Sequence, residues 1–413
     1  MDKRDFLRTV GGAAAGAAFA DLGRAGHRGM AATGDFWEQL RARYRLPADR
    51  IDLEHGFYSR AADEVLDAFV AHARAVNVDA AFYMRTRQAD DKLQSRTLLA
   101  ELAGCGADEL IVTRNTTESL DTVIAGFDWR QGDEAVMAHQ DYRAMLLMFE
   151  QQARRFHIVN RLVSLPVDPA SDDEIVELYA SAITGKTRLL MIPHLVNITG
   201  QILPVRRIVD MAHAKGVPVL VDGAHAFAHF AFTIPELGCD YYGASLHKWL
   251  GCPLGAGILY VKQERVAGLW PLFGDDHADT VIDKLNHTGT HPVATDLAIQ
   301  DAIALHREIG IARKEERLRW LQRYWTDKVR SLPRVRLFTP KAPERSCAIA
   351  TFSIDGIEPD ALAKELLARY RIFAVAIERA AAGVRGVRVT PQLYTTTAEL
   401  DALVTAIGEL AKA

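Results

Sequence analysis

The sequence predicts an α/β fold built around a mainly parallel sheet. Between about residues 81 and 286, short apolar runs typical of strands alternate with helical segments. Some runs are apolar throughout, as expected for strands covered on both faces. Polar residues follow directly at several strand ends, where ligands bind in open α/β sheets. We therefore expect a ligand site along the carboxyl edge of this sheet.

The predicted strands and helices follow one another in a regular order. In the first part the strands are about Leu110–Thr113, Glu134–Ala138, Leu189–Pro193, Pro218–Val221, Tyr241–Ala244 and Gly257–Val261, with a helix near 205–215. After Pro292 we expect one long helix to about Leu332, strands near 335–338 and 348–354, a helix over 359–370, a strand around Arg388 and a final helix. The second pattern indicates a smaller α+β domain.

Chain length and patterning predict four segments. A chain of 413 residues with 49% hydrophobic content is long enough for more than one domain. We expect a leader over residues 1–34, a segment over 35–80 that packs with the small domain, a large domain over 81–290 and a small domain over 291–413.

Charge and cysteine usage exclude several classes of protein. The chain has 49 basic and 53 acidic residues, so no basic excess indicates nucleic-acid binding, and no basic amphipathic arm indicates a membrane surface. Its four cysteines lack the Cys-x-x-Cys spacing of zinc or iron-sulfur sites. They are Cys105, Cys239, Cys252 and Cys347. We expect no metal site and no membrane span.

The N-terminus predicts a signal peptide. A basic start over 2–8 leads into a Gly/Ala-rich stretch that ends in Ala18-Phe19-Ala20. The stretch is too short and too glycine-interrupted for a membrane span. It resembles the twin-arginine export motif, with Lys3 in place of the first arginine, which implies an exported or periplasmic protein. The alternative is a processed leader or an N-terminal helix of a cytoplasmic enzyme.

One lysine lies where an apolar run ends. Lys248 closes Ser245-Leu246-His247-Lys248, and a glycine-rich stretch over 251–257 follows. We expect a tight turn between two buried strands. Burial lowers a lysine's pKa and makes its amine a nucleophile that can form a Schiff base. A solvated loop lysine is the ordinary alternative.

An acidic residue follows the preceding apolar run. Asp222 comes directly after 217–221 and opens Asp222-Gly223-Ala224-His225. A carboxylate there is unfavourable unless a cation or several donors meet it, although Asp222 could also cap a helix or bind a metal with His225. Lys248 follows Asp222 by 26 residues, about one supersecondary unit. The pair fits a pyridoxal phosphate enzyme, which needs a lysine for the aldehyde and an acid for the ring nitrogen.

With these motifs the sequence, from about Asp52 to the C-terminus, resembles the aminotransferase class V family of fold-type I pyridoxal phosphate enzymes. The resemblance implies a large domain with a mainly parallel, seven-stranded-type sheet and a smaller α+β C-terminal domain. It implies that Lys248 holds the cofactor aldehyde and that Asp222 partners the pyridine nitrogen. It places His225 and Asn197 near the phenolic oxygen, although Asn197 alone reads as a turn residue before Gly200.

The resemblance also implies a phosphate site at the start of a helix. Asn115, Thr116 and Thr117 follow a predicted strand and precede a helical run, where backbone donors and the helix dipole attract anions. From local sequence alone, these residues read as an ordinary N-cap. Ser245 and His247 match the family's other phosphate contacts. Thr290 resembles the loop residue that reaches the phosphate of the neighbouring subunit, which implies a homodimer with a shared active site.

Further positions are assigned by the resemblance to the ring and the substrate. Tyr142 matches the aromatic residue that stacks on the pyridine ring, a position often held by histidine. Arg388 matches the arginine that binds the substrate carboxylate through two parallel donors, with Arg385 as a nearby competitor. His55 and Tyr58 are expected to enter the site and contact substrate.

The expected reaction is at the carbon that bears the substrate amine. Cysteine desulfurases of the family carry a nucleophilic cysteine ahead of the carboxylate arginine, but residues 372–387 contain none. The pattern is closest to the isopenicillin N epimerase-like branch and indicates an epimerase or aminotransferase acting on an amino acid or related amine. Alternatives are a C–S or C–C lyase, a metal-dependent hydrolase using Asp222, His225 and His247, and a cofactor-binding protein without turnover.

Overall fold

The computed structural model describes residues 36–412, and the predicted leader over 1–34 lies outside them. From Leu40 onward the chain forms one compact unit. Its strands are β1 (Ile51–Asp52), β2 (Leu110–Thr113), β3 (Glu134–Ala138), β4 (Val159–Val163), β5 (Thr187–Pro193), β6 (Val219–Asp222), β7 (Tyr241–Ser245), β8 (Gly257–Val261), β9 (Val335–Leu337), β10 (Ala350–Ile354), β11 (Ile372–Phe373), β12 (Val375–Arg379) and β13 (Val384–Val389).

The helices connect and cover these strands. They are α1 (Phe36–Arg41), α2 (Asp63–Val78), α3 (Ala80–Thr86), α4 (Gln88–Ala103), α5 (Thr116–Gly126), α6 (Arg143–Phe156), α7 (Asp172–Ala182), α8 (Val205–Ala214), α9 (Ile234–Leu237), α10 (Gln263–Val266), α11 (Val293–Ile309), α12 (Ile311–Val329), α13 (Pro359–Tyr370) and α14 (Thr397–Leu410). None of those within residues 36–412 combines the length and the apolar character needed to cross a bilayer.

Seven strands form the large sheet, in the order β2-β8-β7-β6-β5-β3-β4. β8 pairs antiparallel with both β2 and β7, and the other neighbours are parallel. The predicted mainly parallel sheet is therefore confirmed. Strand β4 was not predicted. It lies at the sheet edge and most of its side chains reach solvent, so its sequence lacks an apolar run.

The second sheet is antiparallel, in the order β12-β13-β10-β9. Its core is formed by apolar side chains from the sheet and from helices α12, α13 and α14, such as Trp325, Phe352, Leu366 and Leu403. The N-terminal segment joins this part of the molecule, because β1 pairs in parallel with β11. The expected domain that comprises residues 35–80 stays a prediction.

The single long helix predicted after Pro292 is wrong. Gly310 separates α11 from α12, and its φ of +80° is a left-handed value that glycine adopts readily. The break lets α11 pack against α2 and α4 while α12 packs against α14. The boundary predicted near residue 290 stays a prediction.

Glycines allow the start of α5 to lie close to the sheet. A Cβ on Gly257 of β8 would lie 2.7 Å from the Asn115 Cα, and one on Gly243 of β7 would lie 2.8 Å from Leu120 Cδ2. Real Cβ atoms do not approach backbone so closely, so a larger residue at position 257 would push the helix away, whereas at position 243 the Leu120 side chain would have to move. The close packing sets the helix N-terminus beside the ends of β7 and β8.

Candidate active site

Most residues predicted to form the site line one cavity at the carboxyl end of the large sheet. They are Tyr58, Asn115, Thr116, Thr117, Tyr142, Asn197, Asp222, His225, Ser245, His247 and Lys248. Asp222 is the last residue of β6, Ser245 ends β7, and Asn115 is the N-cap of α5. The parallel sheet thus brings residues that are far apart in sequence to one edge.

Lys248 lies in the turn after β7 and is buried. Its Nζ lies 3.3 Å from Nε2 of His225 and 5.9 Å from the centre of the Phe57 ring. Burial lowers the pKa of Lys248 to about 8, opposed by Asp222 and assisted by the positive charge of Arg388. The amine is therefore partly neutral near physiological pH and can act as a nucleophile or base.

Asp222 faces the same cavity from the neighbouring strand, where it pairs with Gly243 of β7. Its Oδ1 accepts a hydrogen bond of 3.0 Å from the backbone N–H of Ala224. Burial raises the pKa of Asp222, while that hydrogen bond and the charge of Lys248 oppose the shift. A buried carboxylate of this kind is stabilised by a cationic partner, and a protonated ring nitrogen supplies one.

The start of α5 lines another part of the cavity. Asn115 caps the helix by accepting from the Glu118 N–H at 2.9 Å. The Thr116 N–H donates to Ser245 Oγ at 2.9 Å, and the two hydroxyls are 2.7 Å apart. Helix dipole, backbone donors and hydroxyls together suit a phosphate.

Two histidines and an aromatic residue complete the walls. Nδ1 of both His225 and His247 is buried without a hydrogen-bond partner among the described residues. Burial lowers the pKa of both, to about 4 for His247, so both rings are neutral near pH 7. Tyr142 is the N-cap of α6, and its ring centre lies 6.3 Å from that of Phe57.

These residues fit pyridoxal phosphate. The cavity offers an amine for an aldehyde, a carboxylate for a ring nitrogen, and a helix start with hydroxyls for a phosphate. The buried Nδ1 atoms of His225 and His247 have no hydrogen-bond partner among the described residues, and a polar cofactor can supply one. Lys248, Asp222 and Thr116 would hold its three ends.

Three predicted residues do not line the cavity. His55 is fully enclosed, with Nε2 3.0 Å from the Asp52 carbonyl and Nδ1 3.3 Å from the Tyr394 hydroxyl. Thr290 is exposed on a loop away from the cavity, and its predicted contact with a neighbouring subunit stays a prediction. Tyr58, in contrast, is at the cavity with 66% of its surface exposed and stacks on His247.

Arg388 is the third residue outside the cavity lining. It lies in β13 with no exposed surface, and its Nη2 donates to Glu54 Oε1 at 2.6 Å. Its competitor Arg385 is on the surface, paired with Glu358 and Glu378. Whether Arg388 contacts substrate stays a prediction.

The structure gives no support to the metal-hydrolase alternative. Among residues 36–412, the only group of three potential metal ligands close enough to share an ion is Asp275, Asp276 and His277, on an exposed loop. The set Asp222, His225 and His247 is not such a group. Nor does any of the four cysteines line the cavity, and each is a free thiol.

Sequence reasoning missed two kinds of site residue. Pro193 and Leu195 form part of the cavity wall, but an apolar wall residue has no chemical signature in sequence. Glu54 was missed as the partner of Arg388, more than 300 positions away along the chain. An acidic residue inside the run Ile51-Asp52-Leu53-Glu54 was the one available signal, because a buried carboxylate requires a partner.

Comparison with known proteins agrees with this geometry. The chain matches the family model of Aminotransferase class-V over residues 59–403. It is 30% identical over 399 residues to an isopenicillin N epimerase of Streptomyces clavuligerus, covering 91% of this chain and 98% of that protein. It is 27% identical over 394 residues to a probable cysteine desulfurase of Halobacterium salinarum, covering 87% of this chain and 91% of the relative.

Solved structures show the same fold. The cysteine desulfurase CsdA from Escherichia coli has a TM-score of 0.79 at 24% identity, covering 91% of this chain and 98% of that chain. The cystine C-S lyase C-DES, solved with its product cysteine persulfide, has a TM-score of 0.79 at 23% identity, covering 88% of this chain and 98% of that chain. The fold is that of the fold-type I enzymes, and the chain belongs to the aminotransferase class V family of pyridoxal phosphate-dependent enzymes.

Proposed function

We propose that this enzyme moves a proton at the amine-bearing carbon of an amino acid or related amine, as an epimerase or an aminotransferase. The observation that carries the proposal is the placement of Lys248 and Asp222 in one cavity, one with a lowered and one with a raised pKa. Opposed shifts of this kind assign the base and the acid partner of a site.

The residues have distinct roles in this reaction. Lys248 would hold the cofactor aldehyde, and with substrate bound its amine would be available in the site as a base. With a pKa near 8, that amine can both accept a proton from the substrate carbon and return it. When bound, pyridoxal phosphate supplies an electron sink that makes the substrate proton acidic.

Other side chains hold the ring and its charge. Asp222 would keep the ring nitrogen protonated, Thr116 and Ser245 would bind the phosphate, and Tyr142 would pack against the ring. Proton return to the opposite face of the substrate carbon would give epimerisation, and it requires a donor other than Lys248, because Lys248 reaches only the face from which it took the proton. Proton return to the cofactor would give transamination.

The relatives and the cysteine distribution support this choice over persulfide chemistry. The isopenicillin N epimerase relative covers 91% of the chain. Residues 372–387, where a desulfurase nucleophile would lie, contain no cysteine, and no cysteine lines the cavity. A lyase that cleaves a C–S or C–C bond remains the second candidate, favoured by the desulfurase relative.

The test combines a spectrum with proton exchange. We expect the purified protein to show the visible absorption of lysine-bound cofactor, abolished in Lys248→Ala and kept in the exposed-lysine control Lys215→Ala. A panel of amino acids and amines is then incubated in deuterated water and followed by NMR. Exchange of the proton on the amine-bearing carbon without keto acid supports an epimerase, and exchange with keto acid an aminotransferase. Absence of exchange with every amine would refute both.

A further inference from the structure

Arg388 is already neutralised before any substrate binds. Its Nη2 donates to Glu54 Oε1 at 2.6 Å and its Nη1 to the Asn197 carbonyl at 3.1 Å. Arg388 has no exposed surface and Glu54 only 8%. The arginine expected to bind a substrate carboxylate therefore forms a buried ion pair with a carboxylate of its own chain, in which Arg388 Nε and Glu54 Oε2 have no hydrogen-bond partner among the described residues.

The segment from Glu54 to Phe57 encloses the guanidinium. Glu54 is fixed by the Phe57 N–H, which donates to its Oε1 at 3.1 Å. A Cβ on Gly56 would lie 3.3 Å from Arg388 Nη2, so the backbone passes directly over that nitrogen. The Phe57 ring covers the guanidinium, whose carbon lies 4.5 Å from the ring centre. Because Phe57 lines the cavity and Arg388 does not, the cavity meets an aromatic ring at this position.

Replacing Glu54 by a substrate carboxylate is unfavourable. A substrate carboxylate that displaced Glu54 would become the counter-ion of Arg388, but it would leave the carboxylate of Glu54, which is only 8% exposed, without a counter-ion, and a buried unpaired charge is unfavourable. If Glu54 stayed in place, two carboxylates would share one guanidinium and repel each other. Glu54 thus disfavours binding of a substrate carboxylate at Arg388, whether Glu54 is displaced or stays in place.

The rest of the cavity offers no other cation for a substrate carboxylate. Lys248 is the only lysine or arginine among its described lining residues. Burial keeps His225 and His247 neutral near pH 7. In the proposed function Lys248 serves as the base at the substrate carbon, so its amine would not act as the fixed counter-ion of a carboxylate, and the donors at the start of α5 suit the phosphate.

We infer that Glu54 sets the substrate class: the enzyme takes amines whose reacting carbon bears an uncharged substituent, such as a carboxamide or an ester, in place of a free carboxylate. This rests on the proposed function and narrows it. Glu54 is a specificity-determining residue that acts through Arg388.

Three compounds that differ in one substituent test the inference: 2-aminobutyrate, 2-aminobutanamide and 2-aminobutane. Each is titrated into the cofactor-loaded enzyme, and Kd is measured from the change in cofactor absorbance and by calorimetry, corrected for the fraction of unprotonated amine. We expect the amide and the plain amine to bind at least tenfold more tightly than the acid. A tenfold difference in Kd corresponds to about 1.4 kcal/mol.

Variants at position 54 test whether the charge of Glu54 causes the preference for the amide over the acid. Glu54→Gln keeps the shape but removes the charge, and we expect it to bind the acid at least tenfold more tightly, with little change for the amide. Glu54→Asp keeps the charge and serves as the matched control that retains rejection of the acid. If Glu54→Gln fails to fold or to load cofactor, the wild-type comparison of acid with amide decides alone.

The outcomes separate the two proposals. Equal or tighter binding of the acid by the wild-type enzyme would overturn the inference and leave the proposed function intact. So would a Glu54→Gln variant that binds the acid more weakly. If none of the three compounds perturbs the cofactor spectrum in any variant, the proposed function itself fails.

Discussion

Burial shifts the pKa of four side chains of the site in the direction that favours their neutral forms. It lowers the pKa of Lys248, His225 and His247 and raises that of Asp222. The site is therefore prepared to gain a cationic ring beside Asp222 and to release a neutral amine from Lys248. Both properties follow from desolvation more than from any single neighbouring charge.

The pKa of Lys248 predicts how fast the cofactor attaches. Only the neutral amine attacks an aldehyde, and a lysine with a pKa of about 8 is about 1% neutral at pH 6 and about half neutral at pH 8. We expect the rate of attachment to the apoenzyme to rise roughly tenfold per pH unit below pH 7 and to level off above about pH 8.5. Stopped-flow absorbance after mixing with pyridoxal phosphate measures it. A rate that keeps rising to pH 10 would show an unshifted lysine.

Asp222 should be separable from a structural aspartate by its effect on turnover. Asp222→Asn removes the charge that keeps the ring nitrogen protonated, and we expect turnover to fall roughly 100-fold or more while Lys248 still binds cofactor. The matched control is Asp240, buried and held by His213, Arg265 and the Val219 N–H. Asp240→Asn should lower stability by about 1–3 kcal/mol with little change in turnover. Thermal unfolding and turnover are measured on both variants. The assignment would be wrong if Asp240→Asn lost turnover while Asp222→Asn lost only stability.

At the residue scale, sequence predicted the chemistry better than the contacts. Lys248 and Asp222 could be identified because a charged residue directly after a buried strand requires an explanation. Thr116 and Asn197 needed the family resemblance, because helix caps and turns use the same residue types. The pairing of Glu54 with Arg388 could not be predicted, because tertiary packing alone brings the two residues together.

At the scale of elements, helix α12 supports the turn that carries Lys248. Lys314 of α12 donates from its Nζ to the carbonyl of Trp249, the residue after Lys248. Lys314 is buried, and desolvation lowers its pKa to about 7, opposed by the nearby thiols of Cys347 and Cys252. A helix of the C-terminal part thus fixes a turn of the large sheet through a buried amine.

This lysine predicts a pH dependence of stability. Its folded-state pKa of about 7 lies below the ordinary 10.5, so between these values the unfolded chain holds a proton that the folded chain has lost. The contribution of Lys314 to stability therefore rises with pH across that window, by up to about 1.4 kcal/mol per pH unit. We expect Lys314→Met to remove this pH dependence of the free energy of unfolding. The variant should exceed wild type in stability by the largest amount below pH 7.

Denaturant unfolding at pH 6 and pH 9 measures the difference between Lys314→Met and wild type. The exposed-lysine variant Lys364→Met serves as the control and should show no such difference. Equal stability differences at both pH values would contradict a lowered pKa for Lys314.

Elements were predictable where periodicity was strong. The strands before Asp222 and Lys248 are apolar and were placed to within a residue or two of β6 and β7. The break at Gly310 was missed because helical periodicity continues on both sides of it. Strand β4 was missed because an edge strand has no continuous apolar run.

At the scale of the whole molecule, the site depends on contacts between distant parts of the chain. Phe57 and Tyr58 reach the cavity from the N-terminal segment, which is tied to the C-terminal part of the chain by the two-stranded β1–β11 sheet and by Glu54 with Arg388. The large sheet supplies Asp222 and Lys248. The sequence predicted that the segment would enter the site. The buried ion pair of Glu54 with Arg388 could not be predicted, because it depends on the tertiary packing of the two ends of the chain.

The exposed loop at Thr290 carries the last prediction. Thr290 does not line the cavity of its own chain, and the family resemblance implies that it reaches the phosphate of a neighbouring subunit. In a dimer with two-fold symmetry, each site would then combine Lys248 of one chain with Thr290 of the other. A negative charge at position 290 should repel the phosphate of the neighbouring site only.

Complementation between two inactive variants tests this arrangement. Thr290→Asp and Lys248→Ala each lack function as homodimers, but a mixed dimer contains one site with an intact Lys248 and an intact Thr290. Random mixing makes about half the dimers mixed, each with one intact site, so about a quarter of wild-type activity should return. Thr290→Ser mixed with Lys248→Ala is the control for the loop. Refolded mixtures are assayed for turnover, with sedimentation to establish the dimer. No recovery in a confirmed mixed dimer would place Thr290 outside the neighbouring site, because no other pairing of these two variants leaves a complete one.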